Sequence, residues 1–168
     1  MKSSEKSVTT YYLEMQSSSW LKEKCESKGL VVSECEVAQF QVNRFLYQLI
    51  GEDWEWKSKL SWADGQWRSL VESENHRTWM AYLNGSVAGY YELSKNESDV
   101  EILAFGLAPP FIGKGFGGYF LSYAVKSAWS WVGAERVWLH TDSLDHPRAL
   151  QNYCARGFKI FREETANR

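Results

Sequence analysis

The chain has 168 residues and a formal net charge of −2, with 44% apolar and 24% charged residues. This is an ordinary globular composition, so we expect a single domain over residues 1–168, with residues 1–7 disordered. The charge balance disfavours a nucleic-acid partner, and no apolar run reaches the roughly 18 residues of a membrane span. Three cysteines without C-x-x-C spacing favour a reduced, cytoplasmic protein without a zinc site.

The first half of the sequence predicts one strand and two helices. The segment VTTYYLEM at 8–15 is typical of a strand, and the polar residues 16–29 indicate a loop. From Glu36 to Ile50 apolar residues recur at helical spacing, and Gly51 is a candidate stop. A second helix is predicted over 63–74.

The second half changes to alternating strand patterns. Asn84-Gly85 is a strong hairpin signal, and Pro109-Pro110 ends a strand. The predicted strands are 79–83, 87–93, 100–107, 136–141 and 158–161, and the predicted helices are 115–131 and 147–156. An antiparallel hairpin therefore leads into a β-α-β-α-β unit, and the predicted fold class is α/β with a mixed sheet.

A glycine-rich segment, FGLAPPFIGKGFGGYFL at 105–121, connects a predicted strand to a predicted helix. Gly113, Gly115 and Gly118 satisfy G-x-G-x-x-G, a pattern in which backbone N–H groups approach an anion at a helix N-terminus. A dinucleotide site also needs an acidic residue at the end of the next strand, about 20 residues on. Glu135 stands before that strand instead. No G-K-[ST] follows either, which argues against a Walker loop.

Another family fits this segment better. Read as L-x-P-x-F-x-G-K-G-x-G, residues 107–117 resemble the cofactor motif of the GNAT superfamily of N-acyltransferases, V-x-P-x-Y-R-G-K-G-I-G. Ala149, Tyr153 and Gly157-Phe158 resemble the A-x-x-x-Y-x-x-x-G-F end of the same fold. The resemblance implies a mixed, mostly antiparallel sheet flanked by helices, with splayed strands that form an acyl-CoA cleft. It also implies acetyl-CoA as co-substrate and no metal.

The resemblance further implies which residues bind the cofactor: Leu107, Ile112, Gly113, Lys114, Gly115, Phe116, Gly117 and Gly118. The loop amides would bind the pyrophosphate, and backbone near Leu107 would pair with the pantetheine arm. Ile112 stands where the family usually has Arg or Gln, so Lys114 is expected to contribute more. Few residues follow Gly157-Phe158, so the family's closing strand is expected to be missing or supplied by a partner, which favours a homodimer.

Two residues match catalytic positions of the family. Glu101, six residues before Leu107, corresponds to a glutamate that acts as general base in several members. Even spacing puts it on the strand face of Leu103; the alternative is an exposed strand glutamate. Tyr153 resembles the tyrosine that protonates the coenzyme A sulfur. His140 and His146 are alternative candidates for the base.

The segment GEDWEWKSKLSW between the two predicted helices is a candidate acceptor site. Asp53, Trp54 and Trp56 combine a carboxylate with indoles, which suits a small-molecule amine or amino-acid-like acceptor through ion pairing and cation–π attraction. Tryptophans that merely pack on the helices are the alternative. The sequence therefore predicts an N-acetyltransferase; the alternatives are a coenzyme A-binding protein without turnover and an NAD(H)-dependent oxidoreductase.

Overall fold

The computed structural model describes residues 6–167. Its strands and α-helices are β1 (Ser7–Met15), β2 (Val31–Glu34), α1 (Phe40–Gly51), α2 (Asp64–Val71), β3 (His76–Leu83), β4 (Ser86–Asn96), β5 (Asp99–Leu107), α3 (Gly117–Ser130), β6 (Arg136–Asp142), α4 (Ala149–Ala155) and β7 (Lys159–Asn167). The expected disorder of residues 1–5 lies outside the described residues. For Ser7 that expectation is wrong, because Ser7 opens β1 and pairs with Asn167.

The strands form one mixed sheet in the order β2-β3-β4-β5-β6-β1-β7. Only the β5–β6 contact is parallel, and every other neighbouring pair is antiparallel. The Asn84-Gly85 turn connects β3 to β4, and both residues have positive φ, of 50° and 82°. This is the backbone that a tight hairpin turn requires. The predicted α/β fold class with a mostly antiparallel sheet is confirmed.

Apolar side chains cover both faces of the sheet. On one face Phe120, Leu121 and Val125 of α3 are fully buried in the largest core cluster. On the other face Leu46 and Ile50 of α1, one helical turn apart, pack against the sheet. Each such side chain contributes about 1.5–3 kcal/mol by leaving water. The two helical layers therefore fix the sheet between them.

The parallel strands β5 and β6 separate partway along their length. Their register comprises Asp99–Arg136, Val100–Val137 and Glu101–Trp138, and no later pair follows within the described residues. A register shift against β4 leaves Leu103 as the extra residue of a bulge, which adds local twist. Glu101 is therefore the last β5 residue held by β6, and the rest of β5 diverges from it. Because of the bulge, the side chains of β5 beyond Leu103 no longer follow the two-residue alternation between the sheet faces that holds before it.

Several sequence expectations need correction. The closing strand is not missing: β7 pairs with β1, and β1 lies between β6 and β7. All nine residues of β7 are exposed, so its polar composition gave little strand signal. The strand β2 was not predicted, and α1 begins at Phe40 rather than Glu36 and continues through Gly51. Helix α2 is shorter than the predicted 63–74.

Candidate active site

A cleft of about 380 Å³ opens beside the end of β5. The glycine loop lies on one side of it, α4 on another, and the segment after α1 on a third. Residues from each part line it, including Phe105, Leu107, Gly118, Tyr153, Trp54 and Trp56. The divergence of β5 from β6 therefore ends in a concave site that three separate parts of the chain enclose.

The glycine loop is shaped to receive a group against its backbone. Gly113 and Gly115 have φ of +75° and +86°, a region that favours glycine. A Cβ built at Gly115 would lie 2.5 Å from Lys28 Nζ, and one at Gly118 would lie 2.6 Å from Lys24 Cδ. Since α3 begins at Gly117, its first amides have no acceptor within the helix. The residues present therefore fit an anionic ligand.

Most of the residues predicted to bind the cofactor lie together. Those that line the cleft are Leu107, Ile112, Gly113, Gly115, Phe116, Gly117 and Gly118. Phe116 is 7% exposed, so its ring anchors the loop in the core. Lys114 is exposed and is not part of the lining. The motif therefore contributes backbone and shape to the cleft rather than charge.

Tyr153 lies on α4 and lines the same cleft. Its ring makes edge contacts with Phe105 and Phe158, at centroid distances of 6.2 and 6.1 Å. Burial raises the pKa of the Tyr153 hydroxyl, and the nearby charge of Asp145 raises it further. The phenol therefore stays protonated at neutral pH.

Glu101 and His140 form a pair where β5 and β6 separate. Glu101 Oε1 lies 3.9 Å from His140 Nε2, and neither residue lines the cleft itself. Burial raises the pKa of the Glu101 carboxyl, although the charge of Lys59 opposes this. Burial lowers the pKa of His140, which is half-exposed and packs against Tyr12. Both shifts favour the neutral form of each group.

His146 lies elsewhere, in the loop before α4. It lines the cleft and makes an edge contact with Trp54 at a centroid distance of 4.9 Å. Its Nδ1 accepts a hydrogen bond from the Arg148 amide at 3.0 Å. The adjacent Asp145 accepts hydrogen bonds from the Thr141 hydroxyl and the His146 amide, while burial raises the pKa of its carboxyl. This loop is thus held by local hydrogen bonds.

Only some of the candidate acceptor residues line the cleft. Trp54 and Trp56 line the cleft, whereas Asp53 is exposed and outside its lining. Other aromatic residues of this region surround an ammonium group that belongs to the chain itself. Lys59 Nζ lies 5.2, 5.8 and 6.0 Å from the ring centroids of Trp62, Tyr47 and Trp67, respectively. The cation–π contacts that this composition suggests are thus made to Lys59.

A second glutamate–histidine pair, which the sequence did not indicate, is buried under α1. Glu92 is 1% exposed, and its Oε2 lies 3.5 Å from His76 Nε2. Asn43 of α1 donates to Glu92 Oε1 at 2.6 Å. Burial would raise the pKa of Glu92, but the adjacent His76, the charge of Lys59 and the hydrogen bond from Asn43 leave it below its ordinary value. The pair therefore holds a buried carboxylate in ionised form.

Sequence reasoning also missed Arg156, which follows α4. Its side chain lines the cleft and is 9% exposed, and its Nε and Nη1 have no hydrogen-bond partner within residues 6–167. The only sequence signal was an arginine next to Gly157-Phe158, outside the cofactor motif. Only the folded chain brings it to the start of α3.

Two kinds of feature are absent from the part of the chain that the structure describes. No group of three or more His, Cys, Asp or Glu side chains there is arranged to hold a metal ion. None of the helices there has the length and apolar character needed to cross a membrane.

A model of the Acetyltransferase (GNAT) family matches residues 20–158, which is most of the chain. The chain belongs to this GNAT family. The GNAT assignment accounts for the glycine loop, the splayed strands and the cleft between them. The search of curated proteins found no match.

Solved GNAT structures share the fold. A GCN5-related N-acetyltransferase from Kribbella flavida is 14% identical, with a TM-score of 0.66 over 95% of this chain and 57% of that one. A tandem GNAT protein from the clavulanic acid biosynthesis pathway is 17% identical, with a TM-score of 0.61 over 98% and 54%. An aminoglycoside acetyltransferase from an uncultured soil metagenomic sample, in complex with sisomicin, is 17% identical, with a TM-score of 0.61 over 77% and 88%.

The chain spans only part of some of these proteins. It covers 57% of the Kribbella flavida protein and 59% of a Staphylococcus epidermidis protein that is 17% identical, with a TM-score of 0.60. At such identities the likeness shows the fold, and it agrees with the mixed sheet described above.

Proposed function

We propose that the chain is an acetyl-CoA-dependent N-acetyltransferase whose acceptor is the primary amine of a small or amino-acid-like molecule. The observation that carries this proposal is the gap between β5 and β6. The glycine loop follows β5 at the open end of the gap, and the Glu101–His140 pair stands where the two strands still pair. Tyr153 lines the cleft together with the glycine loop.

Binding would use backbone more than side chains. The amides of Gly113 to Gly118 would receive the pyrophosphate at the start of α3, where helix geometry leaves N–H groups without acceptors. Residues 102–107 of β5 lie beyond the last pair with β6, so an extended pantetheine arm can add to that edge as a strand would.

Acetyl-coenzyme A supplies an activated thioester carbonyl to this site. Glu101, or a histidine as the alternative base, takes the proton from the attacking amine through a bridging water, because Glu101 and His140 lie outside the cleft lining. The amine nitrogen forms the new bond to the carbonyl carbon. A backbone N–H near Leu107 donates a hydrogen bond to the carbonyl oxygen as negative charge develops there. As the carbon–sulfur bond breaks, the Tyr153 hydroxyl gives its proton to the departing thiolate. The products are an acetamide and free coenzyme A.

The acceptor would enter past the segment that follows α1. Trp54 and Trp56 offer aromatic surface at the cleft, which supports an ammonium-bearing acceptor, with Asp53 as a more distant charge. The neighbour solved with sisomicin is an aminoglycoside acetyltransferase. Amine-rich small molecules are therefore the first compounds to offer this chain.

The test combines binding with turnover. Thermal unfolding is recorded with acetyl-CoA, coenzyme A, NAD(H) and ATP, since a ligand that binds only the native state raises the unfolding temperature. A panel of amines is then screened for release of the free thiol. The proposal is supported if acetyl-CoA and coenzyme A raise the unfolding temperature and an amine causes release of the free thiol. Binding without turnover on any amine favours a coenzyme A-binding protein, and a rise with NAD(H) alone, or with none of the ligands, refutes the proposal.

We also propose a cytoplasmic homodimer. The strand β7 stands at one edge of the sheet, and all nine of its residues are exposed, among them Ile160 and Phe161. An exposed strand edge is a template for pairing with a second chain. Light scattering measures the mass in solution, and a monomer at all concentrations would contradict this part of the proposal.

A further inference from the structure

We infer that Arg156, Lys24 and Lys28 form a cationic site for the pyrophosphate of coenzyme A, an inference that rests on the proposed function. None of the three belongs to the glycine motif. Arg156 and Lys24 line the cleft, and Lys28 lies outside the lining but against Gly115 of the loop. Together they supply charge at a loop whose first position is the apolar Ile112 and whose own Lys114 is exposed.

The guanidinium of Arg156 is the central observation. It is nine-tenths buried, and its Nε and Nη1 lack hydrogen-bond partners among residues 6–167. A Cβ built at Gly118 would lie 2.8 Å from Nη1, so the charge stands against the first turn of α3. A buried charge without a partner is destabilising, and the nearby helix N-terminus adds further positive potential. An anion bound at this point would stabilise both the guanidinium and the helix N-terminus.

Hydrogen bonds hold the backbone around Arg156, and they fix the point from which its side chain extends. Its carbonyl oxygen accepts from the Lys22 amide at 2.8 Å, and its amide donates to the Asn152 carbonyl. The Asn152 side chain in turn donates to the Gly117 carbonyl at 3.1 Å. The end of α4 is thereby fastened to the start of α3.

The two lysines come from the connection between β1 and β2. We call residues 21–29 the basic strap. The Lys24 amide donates to the Ser122 hydroxyl at 3.0 Å, and that hydroxyl donates to the Gly118 carbonyl at 2.7 Å. These bonds hold the strap against the first turns of α3.

The side chains of the strap cross over the glycine loop. The Lys24 stem occupies the space that a side chain at Gly118 would need, and the Lys28 ammonium occupies the space of one at Gly115. Glu23, which precedes Lys24 in the strap, is paired with Lys126, with 2.6 Å between Lys126 Nζ and Glu23 Oε1. Three cations and a helix N-terminus thus converge, which suits a ligand with two adjacent negative charges.

The experiment measures dissociation constants by calorimetry for three ligands. Coenzyme A carries the pyrophosphate and the 3′-phosphate, dephospho-coenzyme A carries only the pyrophosphate, and pantetheine carries neither. The proteins are the wild type, Arg156→Met and the double variant Lys24→Met/Lys28→Met. The matched control is Lys22→Met, because Lys22 is a strap lysine that neither lines the cleft nor lies beside a glycine of the loop.

We expect Arg156→Met to weaken the binding of coenzyme A and of dephospho-coenzyme A by the same factor, about tenfold or more. The affinity for pantetheine should stay unchanged. The double variant should show the same selectivity, so the test does not depend on the folding of one variant. The control should bind all ligands as the wild type does. A second readout is the unfolding temperature without ligand, which Arg156→Met should keep or raise because an unpaired buried charge is removed.

Two results would overturn the inference. Unchanged affinities in both cationic variants would remove these residues from the phosphate site. A loss of affinity for coenzyme A but not for dephospho-coenzyme A would mean that these residues bind the 3′-phosphate instead. Failure of the wild type to bind coenzyme A at all would instead refute the proposed function, so the two failures are distinguishable.

Discussion

Two glutamate–histidine pairs lie on the same face of the sheet, and their surroundings differ. Glu101 pairs across the ladder with Ser94, two residues beyond Glu92 on β4, so the two carboxylates point to the α1 side. The Glu92–His76 pair is almost completely buried and receives a hydrogen bond from Asn43. The Glu101–His140 pair stands at the strand separation, and the His140 side chain is half-exposed.

The same two residue types therefore stand in surroundings that shift the glutamate pKa in opposite directions. Around Glu92 the partners more than offset burial, and its pKa falls below the ordinary value. Around Glu101 burial dominates, and its pKa rises. A fully partnered carboxylate stabilises a fold, whereas a partly partnered one is able to change its protonation state during a reaction.

The largest expected effect is on turnover by Glu101→Gln. An amide cannot take a proton, so the rate should fall about 10²–10⁴-fold, the usual contribution of a general base. The affinity for acetyl-CoA and the unfolding temperature should stay near those of the wild type. Steady-state kinetics and calorimetry measure these quantities, with the exposed Glu135→Gln as control. A variant within a few-fold of wild-type turnover would remove Glu101 from the mechanism.

The converse change, Glu92→Gln, should act on stability. Breaking a buried pair typically lowers the free energy of unfolding by about 3–5 kcal/mol. Since folding lowers the pKa of Glu92, its stabilisation is complete above the ordinary glutamate range and is lost as the pH falls through the lowered value. Urea unfolding at neutral and acidic pH should show this acid dependence in the wild type and less of it in the variant. Equal acid dependence in both would contradict the distinction between the pairs.

A smaller effect is expected from Tyr153→Phe. The change removes only the hydroxyl, so we expect turnover to fall about 10²-fold while coenzyme A affinity remains nearly intact. Phe retains the packing against Phe105 and Phe158. Comparison with Glu101→Gln shows whether proton donation or proton removal limits the reaction. Unchanged turnover would mean that another group protonates the sulfur.

The smallest expected effect is a shift in pH dependence by Lys59→Met. The charge of Lys59 lowers the pKa of Glu101, so its removal should raise that pKa. A base must be deprotonated to act, and the acid limb of the turnover profile should therefore move to higher pH. Profiles of kcat/KM against pH measure this, with the exposed Lys57→Met as control. An acid limb in the same place would mean that Lys59 does not act on the base.

Local patterns in the sequence predicted most of the fold. Each of the useful signals occupies one short, continuous segment. They are the alternation around Asn84-Gly85, the glycine loop and the apolar periodicity of α3. The pairing of β1 with β6 and β7 could not be predicted, because the polar β7 has no buried face and the contacts span most of the chain. Periodicity detects burial, and it has little to detect in an exposed strand.

The candidate site divides in the same way. The cleft residues of the glycine loop are contiguous, so a motif identifies them together. Arg156, Lys24 and the buried Glu92–His76 pair depend on long-range contacts, such as the bond between Lys24 and Ser122 across 98 positions. Charge alone did not distinguish these residues from the other charged residues of the chain. Only the folded structure shows that Arg156, Glu92 and His76 are buried and that Lys24 lies beside the glycine loop.

The position of β1 has a consequence for how the molecule is made. This strand is hydrogen-bonded along one edge to β6 and along the other to β7. Contacts such as Glu14 with Arg136 and Thr9 with Thr165 join residues 122 and 156 positions apart. During synthesis β1 therefore emerges well before β6 and β7, the two strands that pair with it. Because such distant contacts close slowly, we expect the growing chain to depend on chaperones until β7 has emerged.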